Sequence, residues 1–79
     1  MRTFTLWIEG SDLWYNTIEK ALRISSVRGN DFNQAVDAYV SSLPPRQARC
    51  WEYCNDDQCW KWSGRRAHDN EKAARAIYG

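Results

Sequence analysis

The sequence predicts an α+β fold in which an antiparallel sheet carries helices on one face. Three observations predict it. Two alternating aromatic runs flank a polar tetrapeptide between Cys50 and Ser63, apolar residues recur at helical spacing after a capping aspartate at Asp31, and the order of these signals repeats once along the chain. The topology that follows is ββαββα, a four-stranded antiparallel sheet with two helices on one face. At 79 residues the chain has room for one core, so it reads as a single domain, 1–79, with half-repeats over 1–43 and 46–79.

The second half carries the strongest signal. Cys50-Trp51-Glu52-Tyr53-Cys54 leads into Asn55-Asp56-Asp57-Gln58 and returns as Cys59-Trp60-Lys61-Trp62-Ser63. With Asp56-Asp57 at the tip, Cys54 faces Cys59, Tyr53 faces Trp60, Glu52 faces Lys61 and Trp51 faces Trp62. Aromatics then meet aromatics and an acid meets a base, which is how a β-hairpin stabilises one register. Alternation puts Trp51, Tyr53, Trp60 and Trp62 on a core face, and the cysteines, Glu52 and Lys61 on the other. Gly64 to His68 continues the strand or turns away. Asp69 is the predicted N-cap of a helix over Asn70–Tyr78 that buries Ala73, Ala74 and Ile77 and ends at Gly79.

The first half has the same plan. Phe4, Leu6 and Ile8 alternate with Thr5 and Trp7, and Gly10-Ser11-Asp12 supplies turn chemistry before a return strand over Leu13–Ile18. Leu13 to Arg28 also fits a helix with Trp14, Thr17, Ile18, Ala21 and Leu22 on one face, which would give βααββα instead. Asp31-Phe32-Asn33-Gln34 resembles a capping box. The helix it opens buries Phe32, Ala35, Val36, Tyr39 and Leu43, and Pro44-Pro45 stops it. In the repeat, Trp7 through Trp14 matches Trp51 through Trp60, and Asp31, Ala35 and Ala38 match Asp69, Ala73 and Ala76.

Composition narrows the function. Eleven basic and ten acidic residues leave a net charge of +1, which excludes a nucleic-acid binder that works by bulk charge. No apolar run approaches the ~20 residues of a membrane span, and Met1-Arg2-Thr3 reads as a cytosolic start. Three cysteines, an odd number, argue against a closed disulfide framework and for reduced thiols in the cytoplasm. If oxidised, Cys54 and Cys59 face one another closely enough to pair, leaving Cys50 for a second copy. The chain is thus expected as a monomer or a disulfide-linked dimer.

Catalytic chemistry finds little support. The one histidine, His68, sits beside a predicted helix cap with no orienting third group. Asp56-Asp57 are adjacent at an exposed tip, and the four glycines form no phosphate loop. Cys50, Cys54, Cys59 and His68 spell C-x3-C-x4-C-x8-H, whose ligand types suit zinc. Along a strand, however, Cys50 and Cys54 stand roughly 13 Å apart, too far for Zn–S bonds of about 2.3 Å. The expectation is a non-enzymatic binding protein with no cofactor and no metal. Its candidate contacts are Arg46, Arg49, Arg65 and Arg66, gathered at the open end of the hairpin, and Trp7, which parity places opposite the covered face; Tyr15 is a weaker candidate.

With its Trp-rich hairpin and its terminal Asp69-Asn70-Glu71-Lys72-Ala73-Ala74 segment, the chain resembles small phage-encoded anti-CRISPR proteins in size and build, without a shared motif. That resemblance implies an inhibitor that occludes the DNA-binding surface of a type I CRISPR surveillance complex in the host bacterial cytoplasm. Two other readings stand beside it. One is a small RNA- or single-stranded-DNA-binding module using the arginine end and an exposed Trp; the other is a zinc-supported interaction domain.

Overall fold

In a computed structural model, which describes residues 1–12, 18–76 and 78, the Trp-rich hairpin takes the register its alternation predicts. Strands β5 (Trp51–Cys54) and β6 (Cys59–Trp62) pair Trp51 with Trp62, Glu52 with Lys61, Tyr53 with Trp60 and Cys54 with Cys59. Gln58, at φ 51°, closes the four-residue tip. The chain then reverses again instead of leaving the sheet. Ser63 and Gly64 both take positive φ, 48° and 81°, the geometry of a two-residue hairpin turn whose twist suits the flanking strands. A third strand, β7 (Arg65–His68), returns beside β6 through Lys61–Arg66 and Trp62–Arg65 pairs.

At the other end, β1 (Arg2–Ile8) pairs along its whole length with β4 (Leu22–Gly29), with a bulge between Leu6 and Trp7. Its C-terminal end also pairs with β7, Trp7 opposite His68 and Ile8 opposite Ala67. The result is a five-stranded antiparallel sheet in the order β4-β1-β7-β6-β5. A separate two-stranded ribbon joins β2 (Ser11–Asp12) to β3 (Ile18–Glu19). The expected arrangement of strands is therefore corrected in two respects. The sheet has five strands because Ser63-Gly64 starts a new one. And β1 takes its partner from residues 22–29, which extend as a strand rather than the alternative helix, while most of the return strand expected over Leu13–Ile18 lies outside the described residues. The Trp14 end of the proposed repeat lies outside them as well.

Helix α1 (Phe32–Ser41) begins where expected. The Asp31 carboxylate accepts from the Gln34 amide at 2.8 Å, while the Gln34 side chain accepts from the Asn30 amide at 2.7 Å, one residue earlier than a standard capping box. Ala35, Val36 and Val40 are buried against Leu6, Ile8, Val27, Trp51 and Ala67, with Phe4, Phe32, Tyr39, Leu43, Trp60 and Trp62 packed around them. The close seating of α1 on β4 requires Gly29: a β-carbon there would lie 2.6 Å from the Ala35 nitrogen. Pro44-Pro45 ends one helix but opens another. Pro45 is the first residue of α2 (Pro45–Ala48), where its missing N–H costs nothing.

The last helix, α3 (Glu71–Ala74), is shorter than predicted, and Asn70 caps it in place of Asp69, accepting from the Ala73 amide at 2.7 Å. It does not share the α1 face. Arg75, just after it, lies over the Trp7 ring at 5.8 Å, and Trp7 points away from the face that holds Leu6 and Ile8. Cys59 and Ala74 are buried without joining the main core, so the second sheet face is covered in part, while Arg23, Arg28 and Arg66 on it stay exposed. Among the described residues, no helix is long and apolar enough to cross a membrane.

Candidate binding surface

The four arginines expected at one end separate into two kinds. Arg46 and Arg49 are exposed, on α2 and at its C-cap, with no ion-pair partner among the described residues. Arg66 is exposed too, on the sheet face that carries His68. Arg65 is not on the surface. Only 7 % of it is accessible, and its guanidinium donates from Nε to the Glu9 carbonyl at 2.8 Å, from Nη1 to Glu19 Oε2 at 2.9 Å and from Nη2 to the Lys20 carbonyl at 3.2 Å. The Trp62 ring lies 5.5 Å from its centre. Strand alternation explains the split, because neighbours on β7 point to opposite faces and Arg65 shares its face with the buried Ala67.

Arg46 borders a groove of about 340 Å³ between α1, α2 and the sheet. Tyr39, Trp51 and Trp62 form its aromatic wall, Ile24 and Leu43 add aliphatic surface, and Leu22 stands at the edge with 52 % of its area exposed. Tyr39 and Trp51 meet edge to face at 6.0 Å, which fixes both rings. Helix α2 creates this groove by swinging the chain out after Leu43 and bringing Arg46, Gln47 and Cys50 back along one side. An apolar floor, fixed aromatics and a cationic rim are what protein-binding sites concentrate. The groove is not legible in the sequence because Pro44-Pro45 signals the end of one helix and hides the start of α2.

Trp7 lies on the predicted face but is half-buried, under Arg75. Beside it, His68 Nε2 is 3.1 Å from Glu9 Oε2, both side chains mostly buried, so the histidine has an orienting carboxylate that its sequence neighbours do not reveal. No thiol is hydrogen-bonded to His68 among the described residues; the Cys54 thiol instead lies 3.6 Å from Asp57 Oδ2. The three cysteines are free, with Cys50 exposed, Cys54 half-buried and Cys59 buried. Among the described residues, no three His, Cys, Asp or Glu side chains gather as a metal would require. Tyr15 lies outside the described residues.

No family model, curated protein or solved structure matches the chain. At the hairpin tip, Lys61 reaches Asp57 at 2.8 Å; that hydrogen bond first, and the lysine charge second, hold the Asp57 carboxyl below its ordinary range. The same bond and the aspartate charge raise Lys61. Both groups are at the surface, so the pair orders the tip and adds little stability.

Proposed function

We propose that this chain is a non-enzymatic binding protein whose contact surface is the groove beside α2, with Arg46 on its rim and the exposed Arg49 at the C-cap of the same helix. The observation that carries this reading is the joining of an unpaired arginine to fixed aromatic and exposed aliphatic surface in one concavity. The apolar floor favours a protein over a bare nucleic acid, and the rim suits an acidic or phosphate-like margin on that protein. Resemblance in size and build to anti-CRISPR proteins supplies the specific form of the proposal. In that form the chain is a phage inhibitor acting in the bacterial cytoplasm, and it covers the DNA-binding surface of a type I CRISPR surveillance complex.

The test is a pull-down and association-rate measurement with purified type I complexes, using Arg46→Glu with Arg49→Glu. These exposed positions should leave the melting temperature nearly unchanged. Binding should weaken by about tenfold or more, mainly through slower association, and the wild-type rate should fall as salt rises. Unchanged binding by the double variant removes the groove rim from the interface. Failure of the wild type to bind any such complex removes the anti-CRISPR form.

A second reading has its own support. Arg23 pairs directly with Trp7 across β1 and β4, Arg28 pairs with Thr3, and Arg66 lies two residues from His68, so three exposed arginines share one sheet face with Trp7. Basic side chains around an aromatic ring on a sheet suit single-stranded RNA or DNA. Steep salt dependence of oligonucleotide affinity, lost on Arg23→Glu and Arg66→Glu, would select this reading.

A further inference from the structure

At the opposite end of α1 from the arginine rim lies a second, open groove of about 570 Å³ with different chemistry. One wall is the Tyr53–Trp60 pair, directly opposed across β5 and β6 and meeting edge to face at 5.6 Å. Tyr53 leaves 38 % of its surface to solvent. The other wall is the first half of α1 with its cap, which together supply Asp31, Asn33, Gln34 and Asp37. Asn33 donates from Nδ2 to the Gln58 carbonyl at 3.0 Å, so helix and hairpin tip are tied together and the two walls hold their spacing.

The charges in this groove are one-sided. One oxygen of Asp31 is engaged by the Gln34 amide, which caps the helix and already supplies the negative charge that its N-terminus favours. Asp37, six residues further on, is exposed and has no hydrogen bond or ion pair among the described residues. Among the described residues, no cation lines the groove. Aromatic rings with negative faces therefore stand opposite an unpartnered carboxylate, an arrangement that attracts a cation and repels an anion. A planar guanidinium matches both walls at once, since it stacks on a ring and presents a fork of N–H donors to a carboxylate, whereas an ammonium is a strongly hydrated point charge.

From this complementarity we infer that the groove between α1 and the hairpin receives an arginine side chain from a partner protein. The site is separate from the α2 groove and opposite to it in sign, so it goes beyond the proposal above and can fail without affecting it. A domain with both surfaces would engage a partner whose own surface alternates in charge.

The experiment is an amide and indole NMR titration of the intact chain with the blocked tripeptide acetyl-Gly-Arg-Gly-amide. The matching citrulline peptide, equal in shape but uncharged, is the control, together with the lysine peptide. Saturable shifts centred on Tyr53, the Trp60 indole and Asp37 are expected, with affinity lowered about tenfold or more for citrulline and for the Asp37→Asn variant. Asp37 is exposed on a helix, so that variant keeps the fold, which its own spectrum verifies. Equal binding of citrulline, equal or tighter binding of lysine, or shifts centred elsewhere would each overturn the proposal. So would self-association of the free chain that disappears in Asp37→Asn, because the arginine would then come from a second copy.

Discussion

Removing the Arg65 side chain should damage the fold far more than removing its neighbour. Arg65→Ala takes away three donors at once. Glu19 is half-exposed and Lys20 exposed, so water can replace two of the bonds. The half-buried Glu9 carbonyl, where the sheet joins the β2–β3 ribbon, loses its donor, at about 1–3 kcal/mol if the acceptor is left unsatisfied. Loss of the stem packed beside Trp62 adds about 1 kcal/mol, for roughly 2–4 kcal/mol in all. For a domain of this size that lowers Tm by about 10–25 °C. Thermal unfolding followed by circular dichroism measures it, with Arg66→Ala as the exposed control, expected within about 0.5 kcal/mol of wild type. Arg65→Lys should fall between, since an ammonium cannot reach two carbonyls and a carboxylate in one plane. If Arg65→Ala and Arg66→Ala melt together, Arg65 does not hold this network in solution.

Gly29→Ala should destabilise by about 1–3 kcal/mol, because the new methyl would meet the α1 backbone, 2.8 Å from the Ala35 Cα, and not the end of a flexible side chain. A denaturant midpoint equal to wild type would show that α1 sits further from β4. At the hairpin tip, Asp57 titrates lower folded than unfolded, so its contribution is complete above the ordinary carboxylate range and lost as pH falls through the folded value. Lys61 has the opposite sign: its contribution is complete below the ordinary lysine range and lost as pH rises through its raised value. Side-chain NMR should therefore find the Asp57 midpoint moving up on Lys61→Met, and an unmoved midpoint would mean the pair is not formed.

What the sequence revealed depended on whether the deciding partner was close in the chain. The β5–β6 register was readable in full because each cross-strand pair supports the same alignment within a dozen residues. Asp31 was readable as a cap because its acceptor and donor are three residues apart. Residues 22–29 were ambiguous: Leu22 ends a helix face that Trp14, Thr17, Ile18 and Ala21 begin, and only the long pairing with β1 selects the strand. Ser63-Gly64 carried a turn signal for β7 that the preceding alternation masked. Arg65 could not be read as buried, since its acceptors lie 45 to 56 positions away. The aromatic face is core only in part, with Trp51 buried and Tyr53 exposed, because Tyr53 lies nearer the hairpin tip, which meets α1 at its first turn. Cys59 is buried on the face expected to be open, the face on which Arg75 stacks over Trp7.

Strand β7 divides its four residues between two neighbours, and this sets an order of events during folding. The β5–β6–β7 meander closes through short turns, and contacts of small sequence separation form early. Joining β7 to β1 instead brings Glu9 to Arg66 across 57 positions, so it comes after the costlier loop has closed. Interactions at that seam are absent from an early transition state, and losses there appear in the escape rate from the native state. The guanidinium of Arg65 thus acts as a latch: without it the chain would fold at nearly its normal speed and come apart sooner.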